Sequence, residues 1–82
     1  MPQYECKVIS AGPEKGVGVI LGLKHLATPP SWPDRQVFLA NDSVRHEMLA
    51  TALAALNMTG SVIVTLENLT ELSSCDSMEL FA

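Results

Sequence analysis

Hydrophobic and polar positions alternate with a period of two along most of this chain, and the period lengthens only once. Residues 4–10 (YECKVIS) set Tyr4, Cys6 and Val8 on one side and Glu5 and Lys7 on the other, the pattern of a half-buried strand. A turn-rich tract at 11–16 (AGPEKG) follows, then residues 17–23 (VGVILGL), where Val17, Val19, Leu21 and Leu23 share one face. Gly18, Ile20 and Gly22 occupy the other face, and the strand continues raggedly through Lys24 and His25. Glycine inside a strand marks a bulge, a tight bend or close backbone approach, so this strand is expected to curl around a small barrel or press against a neighbour. Residues 35–40 (RQVFLA) read as a third strand, apolar on both faces at Val37, Phe38 and Leu39. Residues 61–67 (SVIVTLE) are the clearest strand, rich in β-branched side chains. A polar loop at 68–75 leads to a last strand at 76–82, with Met78 and Leu80 inward.

The single change of period falls at residues 41–60 (NDSVRHEMLATALAALNMTG), which predict one helix. Asn41, Asp42 and Ser43 supply N-cap candidates, Glu47 suits the positive end, and Gly60 is placed as a C′ glycine. At 100° per residue, Val44, Met48, Leu49, Ala52, Leu53, Ala55 and Leu56 fall on one half of the wheel, interrupted only by Arg45. That half is wider than the stripe a surface helix needs and is expected to cover the core. On the other half, Glu47, Ala50, Thr51 and Ala54 leave little bulk, and a second body could approach there: these four are the candidate oligomer interface.

The order is β-β-β-α-β-β in one domain spanning residues 1–82, mainly β with one helix. This is the order of a small five-stranded OB-like barrel. Such a domain is close to the size at which one core is hard to stabilise alone. With 82 residues, 48% of them apolar but only 5% aromatic, some aliphatic surface is expected against another copy or another protein.

Between the second and third strands lies a proline-rich loop (ATPPSWPD, residues 27–34) that holds the only tryptophan. Prolines so closely spaced can neither pair in a sheet nor join a helix. Trp32 on this stiff loop reads either as a stacking platform for a sugar ring or as a lid folded onto the core. With Ser31, Asp34 and Arg35 beside it, the group is the candidate carbohydrate-binding site: an aromatic face next to groups that suit hydroxyls.

The remaining chemistry is sparse. The net charge is −4 without a run of Lys or Arg, which argues against nucleic acid and anionic membranes. No apolar run is long enough to span a membrane. Residues 1–7 (MPQYECK) lack the features of a signal peptide, so the sequence reads as an intracellular chain or one that begins at a mature N-terminus. Ser43 and His46 lack an orienting third group, and Ser43 is better explained as a cap; no catalytic residue is expected. His25, His46 and the two cysteines show no metal-ligand spacing, and neither cofactor nor metal is expected. Cys6 and Cys75 allow one intrachain disulfide, which would close a loop of about 70 residues and contribute roughly 4 kcal/mol. Two buried free thiols are the other reading.

The segment from Met48 through Gly60 to Leu66, in which a helix of small and aliphatic residues passes through a glycine into an alternating Val/Ile/Thr strand, resembles the receptor-binding B subunits of bacterial AB toxins of the Shiga and pertussis-like kinds. The closing strand Ser77-Met78-Glu79-Leu80-Phe81 extends the likeness, and Cys6 is placed like the N-terminal partner of that family's disulfide. Cys75 stands further from the fourth strand than in the Shiga type, and Trp32 precedes the third strand rather than following it, so no binding residue carries over. The resemblance implies an OB barrel and a homo-oligomer, with a pentameric ring favoured, strand edges paired between neighbours and helices around a pore. The functional expectation is a non-enzymatic oligomeric subunit that recognises cell-surface glycan. The alternative is an intracellular assembly module whose ring or dimer binds a partner protein.

Overall fold

The structure, a computed structural model, describes residues 3–58 and 60–81. Its elements run β1 (Gln3–Glu14), β2 (Gly18–His25), β3 (Arg35–Ala40), α1 (Arg45–Asn57), β4 (Ser61–Leu66) and β5 (Ser74–Phe81). The strands close a barrel in the order β1-β2-β3-β5-β4, with β4 returning to β1. Every pairing is antiparallel except the short parallel seam of β3 with β5 at Leu39–Ser74 and Ala40–Cys75. This is the five-stranded OB-like barrel that the order of elements implies.

Alternation decides what fills it. In β4 Val62, Val64 and Leu66 point inward while Ser61, Ile63 and Thr65 point outward. Cys6 and Val8 of β1, Val19, Leu21 and Leu23 of β2, and Phe38 and Ala40 of β3 complete the interior by the same rule. No side-chain polar atom among the described residues is buried without a partner.

The first strand is longer than its alternation suggests. It runs to Glu14, and the register against β2 shifts between Val8 and Ser10, leaving Ile9 as a bulge that is 41% exposed. A bulge sharpens the local twist. That bend lets one strand pair with β4 through Gln3–Cys6 and with β2 through Cys6–Glu14. The turn is correspondingly short, and Val17 belongs to it rather than to β2. Gly16 there has φ +81°, a value that favours glycine.

The helix is shorter at both ends than its pattern predicts. Asn41 does not cap it directly; its Oδ1 accepts from the Ser43 amide and its side-chain amide donates to Asp76. Val44 stands at the N-cap without a side-chain bond. At the other end Met58 turns the chain extended (φ −108°, ψ 160°) and its amide donates to the Ala54 carbonyl. The fifth strand begins at Ser74, two residues earlier than its pattern, because Cys75 pairs with both Ala40 and Leu66. The expected strand residue Ala82 lies outside the described residues.

Candidate functional site

The proline-rich loop turns its tryptophan inward. Trp32 is 3% exposed, and its indole N–H donates to the Leu23 carbonyl at 3.0 Å. His25 stacks on it (centroids 5.0 Å apart, planes 21° apart), and Tyr4 and Phe38 meet it edge-on at 5.7 and 5.2 Å. The loop is fastened by the Ser31 amide, which donates to His25 Nδ1 at 2.8 Å. Trp32 is thus the lid of the two readings, and no open indole face remains for a sugar. Ser31, Asp34 and Arg35 stay exposed around it, with Asp34 in the left-handed region (φ 52°). They stand at the rim of the loop without an exposed aromatic beside them.

The candidate interface on α1 is also rearranged. Met48, Ala52 and Ala55 are the side chains α1 buries, whereas Leu53 and Leu56, expected to cover the core, are 44% and 40% exposed. Three inward positions suffice because the helix crosses a narrow barrel and touches all five strands. Ala50 and Glu47 are exposed, while Thr51 and Ala54 are half-buried. Thr51 donates to the Glu47 carbonyl within the helix. Glu47 and Thr51 border a hollow of about 200 Å³ between α1 and β5, beside Asp76 and Met78. The outward apolar face is therefore Leu49, Leu53 and Leu56 with Ala50, further round the helix than the wheel placed it.

Cys6 and Cys75 are both buried free thiols, the second of the two readings; no disulfide joins them. Burial pushes each thiol up to about 12, and in Cys6 the nearby Cys75 adds to the effect. Both remain protonated and poorly nucleophilic at neutral pH. Ser43 Oγ donates to Asn41 Oδ1 at 2.7 Å, in the turn before α1. Asp76 accepts from Asn41 and Ser74 at 2.9 and 2.6 Å, and these bonds hold its carboxyl below the usual range. The trio ties the end of β3 to β5 where the parallel seam is only two residues long.

A further cluster is invisible in the sequence. Lys7 pairs with Lys24, and Lys24 with Arg35, so three cations stand side by side on the outer face of β1, β2 and β3. All three are exposed. Arg35 leans away from Lys24 across Gly22 and donates to Ser10 Oγ at 3.2 Å. A Cβ on Gly22 would stand 2.4 Å from that oxygen and 2.9 Å from Arg35 Cδ, so the close approach foreseen for a strand glycine is the arginine's. The charges are far apart in sequence, and only the register unites them. Near the turn Glu14 pairs with Gly18 and Gly12 with Ile20; continued unbroken, that count would set Lys7 opposite His25. The Ile9 bulge moves it to Lys24.

On the other side of β1 the outer row is acidic: Glu5 pairs with Ile63, and Ile63 with Glu79. Glu5 and Glu79 are exposed and Ile63 is half-buried. Among the described residues the one ion pair is Arg45 with Asp42, at 3.7 Å, so neither row is neutralised within the molecule. No described helix is long and apolar enough to cross a membrane.

No family model matches this chain, and no curated protein or solved structure matches it.

Proposed function

We propose that this chain is a non-enzymatic binding subunit that works as a homo-oligomer. The observation that carries the reading is the outward face of α1, where Leu53 and Leu56 remain 44% and 40% exposed beside Ala50 and half-buried Leu49. A contiguous apolar patch on so small a body marks an interaction surface. Another copy is the natural occupant, because exposed Ala50 beside Leu53 lets a second backbone come close and identical helices present identical patches. The likeness of the helix-to-strand segment to toxin B subunits favours a ring of five. Light scattering on the full chain tests this: a defined oligomer is expected, with Leu53→Glu dissociating it. A monomer at every concentration overturns the reading.

The ligand proposed for such an assembly is a glycan held by Ser31, Asp34 and Arg35 at the rim of the proline-rich loop. A weak polar site repeated around an oligomer gains by multivalency. A glycan array comparing the wild type with Arg35→Ala tests it, and unchanged binding removes Arg35 from the account. The buried indole of Trp32 favours a second reading, an assembly module that binds a protein, since the rim of the proline-rich loop then lacks an aromatic platform. A wild-type array without any hit selects that reading.

A further inference from the structure

Like charges directly opposite each other in a sheet are destabilising. The barrel nevertheless places Lys7, Lys24 and Arg35 in one cross-strand row, and no carboxylate among the described residues lies within 4 Å of them. Glu5, the acid two positions from Lys7 on the same face, accepts instead from Ser61 Oγ at 3.1 Å, toward β4. The charges are segregated on a larger scale too. Strands β1, β2 and β3 with the β1–β2 turn carry four cations and two carboxylates, a net +2. The other residues carry one cation and seven carboxylates, a net −6, which together make the chain's −4.

We infer that the Lys7–Lys24–Arg35 row receives the Glu5–Ile63–Glu79 row of a second copy, so that copies join head to tail. The inference rests on the self-association proposed above and names the surfaces that would meet. Each row crosses three neighbouring strands, so its end residues stand about 10 Å apart, two strand spacings. Glu5 and Glu79 then match the two ends of the basic row. Ile63, between the carboxylates, meets the aliphatic stem of Lys24, which can lie along an apolar side chain while its ammonium reaches solvent or carboxylate. The rows lie on either side of β1, in opposite directions around the barrel. A contact between them leaves a free basic row at one end and a free acidic row at the other. Such a heterologous contact generates a ring if the rotation closes and a filament if it does not.

The experiment is charge reversal on the full chain, followed by sedimentation velocity and thermal melting. Lys24→Glu is expected to raise the Tm of the dissociated protein, because the new carboxylate sits between Lys7 and Arg35. The same change is expected to weaken assembly at least tenfold. Glu79→Lys should weaken it similarly, and combining it with reversal of the end cation it faces, Lys7→Glu or Arg35→Glu, should restore assembly in one of the two combinations, because the two new charges then meet. Wild-type assembly should loosen between about 0.05 and 0.5 M salt, as exposed charge pairs are screened. Assembly unaffected by Lys24→Glu, or both charge-swapped double variants no better than Glu79→Lys alone, overturns the inference. If Leu53→Glu dissociates the oligomer while Lys24→Glu does not, the self-association reading stands and only the pairing of rows fails. A monomeric wild type removes both. Binding to a sulfated polysaccharide that Lys24→Glu abolishes, with the oligomer unchanged, would make the row a polyanion site and overturn its pairing with a second copy.

Discussion

The barrel is closed at its two ends by opposite means. At the end formed by Tyr4 and His25, one loop pushes a single large side chain inward, and Trp32 disappears among three other rings. At the end formed by Pro13 and Val19, a 13-residue helix lies across the strands with Met48, Ala52 and Ala55 as its buried contacts. The loop puts its bulk into the core and shows prolines and polar groups to solvent. The helix puts one methionine and two alanines into the core and shows leucines to solvent. Sealing a narrow barrel requires little from a helix, so the rest of α1 is free to display an apolar surface. One lid hides its apolar bulk, and the other leaves part of it exposed.

The largest test of this contrast is at the tryptophan. Trp32→Ala should cost about 3–5 kcal/mol, the range for emptying a buried aromatic site, as measured by chemical denaturation. A cost within the noise would mean that the loop seals nothing. On the helix, Met48→Ala should cost about 2–5 kcal/mol, whereas the monomer should tolerate Leu53→Gln within about 0.5 kcal/mol. Equal costs at the two positions would erase the distinction between the inward and outward faces.

Smaller effects sharpen it. Asp76 is tied to Asn41 and Ser74 near the helix end, and its folded carboxyl sits below the ordinary 3.8. A depressed carboxyl contributes stability that is present above the unfolded value and lost as pH falls through the folded one. Acid titration of stability should therefore flatten in Asp76→Asn, which loses its charge-assisted bonds and about 1–2 kcal/mol at neutral pH. An unchanged acid profile would remove the seam from the account. His25→Phe keeps a ring beneath Trp32 but removes the acceptor for the Ser31 amide, at a cost of about 1 kcal/mol. Hydrogen exchange should speed at that amide and leave α1 unaffected.

The least expensive change to observe is in the thiols. Cys6 pairs with His25 at the tryptophan end, and Cys75, near enough to raise the Cys6 thiol, pairs with Ala40 and Leu66. Raised to about 12, both should resist an aromatic disulfide reagent at pH 8 in the folded wild type. In Trp32→Ala, mass spectrometry should find Cys6 modified before Cys75. The reverse order would mean that Trp32 does not shield Cys6.

Sequence reading reaches this architecture through alternation. The third strand is legible to the residue because Phe38 and Ala40 are inward and Arg35 begins the exposed face. The helix is legible as an element, but its orientation is not. Its apolar wheel is so broad that the direction of the core is set by Met48, Ala52 and Ala55 fitting a narrow opening, which periodicity cannot weigh. Trp32 is legible as a position of consequence, while its inward turn depends on the Leu23 carbonyl and the His25 ring, contacts across loop and strand. The basic row was hidden by one residue: without the Ile9 bulge the same strands would align Lys7 differently. Two residues of parallel pairing between β3 and β5 leave no periodic trace at all.

The close fit of Arg35 over Gly22 has a historical consequence. A side chain at position 22 collides with Ser10 Oγ and Arg35 Cδ in the arrangement seen here, whereas shortening position 35 clears one of the two obstacles. Any growth at residue 22 requires the Ser10 hydroxyl and the Arg35 stem both to move aside. Chains that diverged from this one should seldom combine a long side chain at 35 with anything but glycine at 22. A descendant that gave up this glycine would have had to displace one member of the cation row.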